Sequence, residues 1–314
     1  MALLTFKPIY QERIWGGQNL KSSLGRTIPD TAIGESWEVC DRPEAQTKVV
    51  ESGKDLHDLW SGPDKNKIFG TAAPDTERFP LLIKILDAQD KLSLQVHPPA
   101  KLAPKFNGEP KTECWYFLET GDDAKIYVGL KKGVGRKEFE AAVDAKDGSV
   151  ADCFHVLNSK PGELMFLPSG RVHAIGAQNL ILEIQQNSDT TFRVYDWDRV
   201  DAKTSQPRDL HVQESLECID FDDVEPIFAQ PHGTSLLRCA YFDLERLPFF
   251  EEEHQELSIG PDRCLYGFVS AGSLKIDDKE LPRGTSFLLT ADTGQCVIES
   301  QGEYSELITA TWPE

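Results

Sequence analysis

The chain has 314 residues, of which 39% are hydrophobic, and this is enough for one large folded domain or two of ordinary size. It carries 52 acidic and 33 basic residues, and the net charge of -19 repels nucleic acid phosphates and anionic membrane surfaces. We therefore expect neither nucleic acid nor a membrane as a partner. A small anionic substrate remains compatible with this charge, because arginines or lysines inside a pocket act within the screening length, about 8 Å at physiological salt.

The cysteines are widely spaced along the chain. There are seven of them, an odd number, and no two form a C-x-x-C pair, so we interpret them as reduced thiols in a cytoplasm. Residues 1–13 lack both the basic start and the apolar stretch of a signal peptide. No run approaches the roughly 20 apolar residues of a membrane span. The sequence predicts a cytoplasmic protein that is neither exported nor embedded in a membrane.

Short alternating runs of apolar and polar residues predict a mainly β protein. They recur from about residue 80 to the carboxyl end, separated by Gly, Pro, Asp and Asn, and this pattern favours a β-barrel or sandwich. The clearest predicted strands are 91–97, 113–119, 124–130, 163–167, 179–186, 263–270 and 285–290. Two amphipathic helices are predicted at 54–60 and 136–146, and helices are subsidiary.

A proline- and glycine-containing segment at residues 225–235 predicts a domain boundary, which divides the chain into 1–233 and 234–314. A weak internal repeat supports the division, since residues 162–168 and 284–290 both consist of a turn glycine followed by an apolar strand. The first copy leads on to His173, whereas the second has no imidazole or carboxylate at the matching position. We therefore expect the C-terminal domain to be metal-free.

The predicted strand 91–97 contains a candidate metal-ligand pair. Its apolar residues alternate with polar ones, and the period of two puts Gln95 and His97 on the same face. If the apolar set packs outward, this pair faces the barrel interior, where an unpaired amide and imidazole would cost several kcal/mol. A bound cation would satisfy both groups. The alternative is an ordinary hydrogen-bonded histidine at the surface or in the core.

Two further segments supply oxygen and nitrogen ligands. Glu113 is a lone carboxylate at the start of an aromatic-rich strand, so its burial requires a charge partner. Residues 162–173 form a glycine turn, an apolar strand, a Pro-Gly corner and then His173, which resembles the second sequence motif of the cupin superfamily, although Ala177 stands where an asparagine often follows. Two histidines, a glutamate and a glutamine suit zinc, while ligand softness also admits iron, cobalt or manganese.

Two departures from the general cupin pattern point to a particular family. Gln95 stands where a histidine is usual, and fifteen residues separate His97 from Glu113. Together with PIYQERIWGGQNL, GESWEVCDRPE, FPLLIKILDA, LSLQVHP, PKTECWY and QQNSDTTFRVYDWDR, these features resemble the type I mannose-6-phosphate isomerases in their short bacterial form. The resemblance covers roughly residues 5–200, and it implies two cupin (jelly-roll) barrels with a few helices in the N-terminal part. The last eighty residues resemble a second, metal-free cupin only loosely.

The resemblance also implies roles for particular residues. One Zn²⁺ per chain would be bound by Gln95, His97, Glu113 and His173. Arg193 would be catalytic, and its alternative is an ion pair with Asp189 or Asp196. Lys111 would be a second catalytic residue. Lys84 corresponds to a family lysine near the sugar, and its alternative is to extend to the protein surface. Apart from the resemblance, the candidates for binding the phosphate are Arg199, Arg193 and Lys84. Trp15 is a candidate for stacking on the sugar, with core packing as its alternative.

The implied activity is the interconversion of mannose 6-phosphate and fructose 6-phosphate through a cis-enediolate. Zinc would polarise the sugar oxygens while Arg193 stabilises the developing negative charge. The base would be either Lys111, if burial lowers its pKa, or zinc-bound hydroxide. Two other functions are kept as alternatives: an iron-dependent cupin dioxygenase and a non-catalytic sugar-binding cupin. The expected partner is a small-molecule sugar phosphate, and the protein is expected to be a monomer or homodimer.

Overall fold

The computed structural model describes residues 3–200, 205–251 and 253–313, which form 22 β-strands and five short α-helices. The strands that precede residue 200 are β1 Leu3–Lys7, β2 Ile9–Gly17, β3 Ile33–Val39, β4 Lys48–Val49, β5 Leu81–Ala88, β6 Leu94–Val96, β7 Glu113–Thr120, β8 Lys125–Leu130, β9 Phe154–Asn158, β10 Leu164–Leu167, β11 His173–Ile175, β12 Asn179–Gln186 and β13 Phe192–Tyr195. The later strands are β14 Ser235–Arg238, β15 Asp243–Phe250, β16 His254–Ile259, β17 Leu265–Ala271, β18 Ser273–Ile276, β19 Lys279–Pro282, β20 Ser286–Leu289, β21 Gly294–Ser300 and β22 Tyr304–Thr311.

The α-helices all precede residue 219, which confirms the prediction of a mainly β protein with subsidiary helices in its N-terminal part. They are α1 Asn19–Ser22, α2 Leu56–Trp60, α3 Lys65–Phe69, α4 Arg136–Ala145 and α5 Val212–Cys218. None of the helices in the described part of the chain is long and apolar enough to cross a membrane.

Each predicted strand and helix forms, with ends that differ by a few residues. The predicted strand 91–97 is shortened to β6. Sequence reasoning placed strands only from about residue 80 onward and therefore missed β1 to β4. The reason is visible in β3, where all seven residues are buried. A strand that is covered on both faces has no alternation of apolar and polar residues to reveal it.

The N-terminal barrel consists of two sheets. One has six strands in the order β10-β7-β12-β5-β3-β2, and the other has five in the order β13-β6-β11-β8-β9. Aromatic and aliphatic residues, among them Trp115, Phe117 and Val128, fill part of the space between the sheets. Helices α4 and α5 cover the outer face of the five-stranded sheet, where Leu94 and Val96 pack in one cluster with buried residues of both helices. This packing turns the intervening polar residues of β6 inward, as the alternation predicts.

The C-terminal barrel pairs a seven-stranded sheet, β14-β15-β22-β17-β20-β1-β4, with a four-stranded sheet, β16-β21-β18-β19. Apolar side chains that include Phe249, Val269, Phe287 and Leu307 fill its interior. Strand β1 comes from the start of the chain and pairs antiparallel with β20 in this barrel. The division of the chain at residue 233 stays a prediction. In the structure, β1 belongs to the C-terminal barrel although it precedes the N-terminal barrel in the sequence.

A shared core and a buried ion pair join the two barrels. One hydrophobic cluster runs from residues of the N-terminal barrel, such as Ile83, to residues of the C-terminal barrel, such as Phe268. Beside it, both guanidinium NH2 groups of Arg26 bind Glu38, which is 3% exposed. Ser286 of the C-terminal barrel donates a hydrogen bond of 2.9 Å to the same carboxylate. The two barrels are therefore connected by both apolar and charged contacts.

Candidate active site and metal centre

Three buried ligand side chains meet between the two sheets of the N-terminal barrel. His173 begins β11 and lies opposite Gln95 of β6, while His97 follows β6 by one residue. Glu113 begins β7 in the facing sheet. His97, Glu113 and His173 are each 1% exposed, and their ligand atoms all lie within 4.8 Å of one another. The structure thus brings together residues that are up to 76 positions apart in the sequence, counted from His97 to His173.

Two distances in this cluster lie in the range expected between neighbouring ligands of one metal ion, and they involve the two different oxygens of Glu113. Glu113 Oε2 lies 3.4 Å from His97 Nε2, and Glu113 Oε1 lies 3.5 Å from His173 Nε2. In a zinc site with bonds of about 2.0–2.2 Å, neighbouring ligand atoms lie about 3.3–3.6 Å apart. His97 Nε2 and Glu113 Oε1 are buried without a hydrogen-bond partner among the described residues, while Glu113 Oε2 has the ammonium of Lys111 at 2.8 Å. Buried polar atoms in this condition are costly, and a cation would satisfy all of them.

Backbone carbonyls orient both imidazole rings. His97 Nδ1 lies 2.9 Å from the carbonyl oxygen of Thr190, and His173 Nδ1 lies 2.9 Å from that of Arg171. Each Nδ1–H therefore donates outward, which leaves the lone pair of Nε2 directed at the cluster. Burial, and then the positive charge of Lys111, lower the pKa of His97, while burial and His97 lower the pKa of His173 to about 3. Both rings are neutral at physiological pH, as metal ligands must be.

Gln95 completes the candidate ligand set. Its Nε2 lies 3.4 Å from His173 Nε2, and its Oε1 accepts a hydrogen bond of 3.1 Å from the hydroxyl of Ser93. Rotating the terminal amide by half a turn exchanges its oxygen and nitrogen, which puts the oxygen beside His173 and lets the hydroxyl accept instead. The four side chains therefore fit a metal cofactor, with two nitrogen and two oxygen ligands.

A cavity of about 340 Å³ opens beside this cluster. Five of the site residues that the sequence predicts line it, namely Trp15, Lys84, Gln95, Lys111 and Arg193. The other charged residues in its lining are Glu12, Arg13, Glu35, Glu183, Asp189 and Arg208. Sequence reasoning assigned none of this second group to the site.

Two lining residues of the cavity, Lys84 and Glu183, belong to a row of residues in register across four strands. Trp37, Lys84, Glu183 and Trp115 lie opposite one another on β3, β5, β12 and β7. The ammonium of Lys84 lies 5.1 Å from the ring centre of Trp37 and 3.8 Å from Glu183 Oε1. The indole nitrogen of Trp115 donates a hydrogen bond of 3.1 Å to the other oxygen of Glu183. Lys84 points into the cavity instead of extending to the protein surface.

The two lysines of the cavity are neutralised by carboxylates. Lys84 Nζ also lies 3.6 Å from both Glu35 Oε2 and Asp189 Oδ1. Lys111 Nζ lies 2.8 Å from Glu113 Oε2 and 4.0 Å from Glu183 Oε1. Burial opposes the charge on Lys111, but Glu113 and Glu183 outweigh it and raise the pKa of the ammonium. This direction is the reverse of the lowering that a general base needs.

Glu183 is the main residue of the site that sequence reasoning missed. Burial, and then the negative charge of Glu113, raise its pKa to about 7, in spite of the opposing charges of Lys111 and Lys84. Its signal in the sequence is a single carboxylate in the apolar run NLILEIQQ. A charged residue that interrupts an apolar strand is the same signal that identified Lys84 and Glu113.

Arg193 lies beside the metal ligands and has no ion pair among the described residues. It lies opposite Gln95 in the pairing of β13 with β6, and its Nε is buried without a hydrogen-bond partner. Burial, and then the positive charge of Arg208, lower the pKa of its guanidinium. Asp189 is instead close to Lys84, and Asp196 binds two other arginines. The structural alternative, an ion pair of Arg193 with either aspartate, is not what the structure shows.

Arg199 lies outside the lining of the cavity. Its Nη2 binds Asp196 Oδ1 at 2.6 Å, and its Nη1 lies 3.3 Å from Asp90 Oδ2. Arg208 binds the same Asp196 from the cavity side, through Nε at 2.7 Å and Nη2 at 2.5 Å. Direct contact between Arg199 and a substrate stays a prediction.

A larger cleft of about 680 Å³ lies elsewhere, lined partly by residues 186–187. Its arginines are neutralised within the protein, since Arg42 binds Glu109 at 2.8 Å and Arg78 binds Asp41 at 2.9 Å. The candidate metal cluster is not part of its lining. We therefore assign the chemistry to the smaller cavity.

Two cupin barrels, one of which contains a buried cluster of imidazole and carboxylate ligands beside a charged cavity, define this protein as a metal-binding cupin enzyme. Residues 3–121 match the family described as phosphomannose isomerase type I, catalytic domain. The chain belongs to this family of type I phosphomannose isomerases.

Similarity to individual members extends over nearly the whole chain. The chain is 33% identical to the probable mannose-6-phosphate isomerase GmuF of Bacillus subtilis over 315 aligned residues, which cover 96% of this chain and 97% of that one. It is 40% identical to mannose-6-phosphate isomerase ManA of Bacillus subtilis over 253 residues, or 77% and 78% of the two chains. The crystal structure of the mannose 6-phosphate isomerase from Bacillus subtilis superimposes with a TM-score of 0.85 at 29% identity, covering 99% of each chain.

Proposed function

We propose that this protein is a zinc-dependent aldose–ketose isomerase that interconverts mannose 6-phosphate and fructose 6-phosphate. The observation that carries the proposal is the buried cluster of His97, Glu113 and His173, whose unpartnered atoms lie beside a cavity that contains Arg193. Membership of the isomerase family favours this activity over an iron-dependent dioxygenase or a non-catalytic sugar-binding protein.

One Zn²⁺ per chain would be held by Gln95, His97, Glu113 and His173. When bound, zinc supplies a Lewis acid that polarises the oxygens on C1 and C2 of the open-chain sugar. The two histidines and the mixed nitrogen and oxygen ligands support zinc over a hard cation such as magnesium, which prefers oxygen ligands alone.

Arg193 would stabilise the negative oxygen of the cis-enediolate. A guanidinium keeps its proton at any working pH, so it can neutralise developing charge without taking part in proton transfer. Its lack of an ion pair among the described residues leaves its donors available for the substrate. An arginine already bound to a carboxylate would have to exchange partners in each catalytic cycle.

We assign the movement of the proton between C1 and C2 to Glu183, with Lys111 as its neighbour. Glu183 lines the cavity between the ammonium groups of Lys84 and Lys111, and a carboxylate in this position can accept a proton from one carbon and return it to the other. Lys111 is held protonated by Glu113 and Glu183, so its Nζ would donate a hydrogen bond to a substrate oxygen. Lys84 and Trp15 would complete the wall of the cavity. The partner of the protein would be a sugar phosphate, and we retain the cytoplasm as its location.

A metal-resolved assay tests the proposal. The purified protein is stripped with a chelator, reloaded separately with zinc, iron, cobalt or manganese, and supplied with mannose 6-phosphate or fructose 6-phosphate. We expect no isomerisation without metal and restored turnover in both directions with zinc. Oxygen uptake that depends on iron would favour the dioxygenase instead. Metal and sugar phosphate binding without any turnover would favour the non-catalytic protein.

A further inference from the structure

The cations of the cavity differ in how completely the protein neutralises them. Lys84 lies within 4.0 Å of three carboxylates, and Lys111 lies within that distance of two. Arg13 binds Glu35 through Nε at 2.7 Å. These three side chains therefore offer little uncompensated charge to an anionic ligand.

Arg208 differs because one of its donors has no partner. Asp196 binds Nε and Nη2 of Arg208 and also binds Arg199, which in turn lies 3.3 Å from Asp90. Asp196 and Arg199 do not line the cavity, whereas Arg208 does. Among the described residues, none accepts a hydrogen bond from Arg208 Nη1. Arg208 thus keeps an available donor at the cavity wall.

The position of Arg208 suits the end of the substrate that carries the phosphate. The side chains of Lys84 and Lys111, beside the metal cluster, are 4% and 6% exposed, whereas that of Arg208 is 23% exposed. Arg208 therefore lies toward the mouth of the cavity. In the proposed reaction, carbons C1 and C2 of the sugar would lie beside His97, Glu113 and His173, and the phosphate is attached at the opposite end of the carbon chain.

We propose that Arg208 binds the phosphate group of the substrate, and that Asp196 and Arg199 are positioning residues that hold its guanidinium in place. This inference rests on the proposed isomerase function. Asp196 engages Nε and Nη2 of Arg208 together, which fixes the plane of the guanidinium and directs Nη1 to the ligand. Arg199 then acts through Asp196, which explains how it can serve the site from outside the cavity.

The test is a comparison of steady-state kinetics with mannose 6-phosphate in the zinc-loaded protein. We expect Arg208→Gln to raise KM by about 10- to 100-fold, the range for losing a charge-assisted hydrogen bond, while kcat stays close to the parental value. The inhibition constant of inorganic phosphate should rise by a similar factor. Arg208→Lys should recover part of the affinity, since it restores the charge but not the fork geometry. Arg238→Gln, at an exposed arginine of β14, is the matched control and should change neither parameter.

The outcomes separate this inference from the function on which it rests. If the parent protein does not isomerise mannose 6-phosphate, the proposed function fails. If the parent is active and Arg208→Gln lowers kcat alone or changes nothing, only the phosphate site is overturned. A crystal of the parent soaked in sorbitol 6-phosphate, which has no carbonyl to isomerise, gives a measurement independent of any variant's folding. Phosphate in contact with Arg208 Nη1 is expected, and phosphate bound only at Lys84 or Lys111 would overturn the inference.

Discussion

His97 and Glu113 face each other from opposite sheets of the N-terminal barrel, with 3.4 Å between Nε2 of the imidazole and Oε2 of the carboxylate. The Nδ1–H of His97 already donates to the carbonyl oxygen of Thr190, so the facing Nε2 of the neutral ring is an acceptor. Two buried acceptors at this distance repel each other unless a cation lies between them. The contact therefore predicts metal binding more directly than either residue does alone.

Replacing both imidazoles should abolish metal binding. We expect His97→Ala together with His173→Ala to lose stoichiometric zinc, because two of four ligands are removed from a buried site. Metal analysis of dialysed protein measures this, and His254→Ala, at an exposed histidine of β16, is the control that should keep one zinc per chain. One zinc per chain retained by the double variant would place the metal elsewhere.

Replacing Arg193 should reduce turnover without loss of the fold. We expect Arg193→Ala to lower kcat by about 10²–10³-fold, the typical cost of losing one electrostatic contact to the transition state. Zinc content and melting temperature should stay near the parental values, because no described residue forms an ion pair with this arginine. Near-normal turnover would reject the catalytic assignment. A large fall in melting temperature with unchanged kcat would indicate a structural role instead.

The raised pKa of Glu183 predicts a dependence of stability on pH in the metal-free protein. The folded state holds the proton of Glu183 up to about pH 7, whereas the unfolded state releases it near the ordinary value of 4.5. This group therefore costs the folded state stability as pH rises through that interval. Relative to Glu183→Gln, the parent should lose about 1–3 kcal/mol of unfolding free energy between pH 5 and pH 8.

Urea denaturation of the chelated proteins at the two pH values measures this difference. Glu140→Gln, at a partly exposed carboxylate of α4, is the control and should follow the parent at both pH values. A difference between parent and Glu183→Gln that is the same at pH 5 and pH 8 would contradict the raised pKa.

Breaking the ion pair of Arg26 and Glu38, which is hydrogen-bonded to the C-terminal barrel through Ser286, should destabilise both barrels together. We expect Glu38→Ala to cost about 3–5 kcal/mol, because it leaves Arg26 buried without its carboxylate. Asp30→Ala removes an exposed ion pair with Lys21 and should cost about 0–1 kcal/mol. Denaturant unfolding followed by both tryptophan fluorescence and circular dichroism provides the test. Two separate transitions in the parent would show that the shared core does not couple the barrels.

Local patterns in the sequence predict the strands that contain the candidate metal ligands. The alternation in 91–97 placed Gln95 and His97 on one face, and the structure has that face turned inward by the packing of Leu94 and Val96. Isolated charges in apolar strands identified Lys84 and Glu113 by the same physical reasoning. Glu183 interrupts the apolar strand 179–186 in the same way, so the same pattern identifies it.

Other parts of the site could not be predicted from local patterns. Arg13 and Arg208 lie in segments without regular alternation, and nothing in their immediate sequence indicates that both reach the cavity. The pairing of β1 with β20 joins residues separated by nearly the whole chain. Such contacts depend on how sheets stack and on which strand closes a barrel.

The mainly β fold, the family and the proposed metal ligands can be predicted from the sequence, because each is encoded in residue types at short, regular spacings. Which cations of the cavity keep a donor for a ligand is set only when the chain has folded. That property depends on distances between side chains from different strands, such as the 2.6 Å from Arg199 to Asp196 and the 2.7 Å from Arg208 to the same carboxylate. Coulomb energies vary with separation and burial, and neither quantity is set until the sheets have packed.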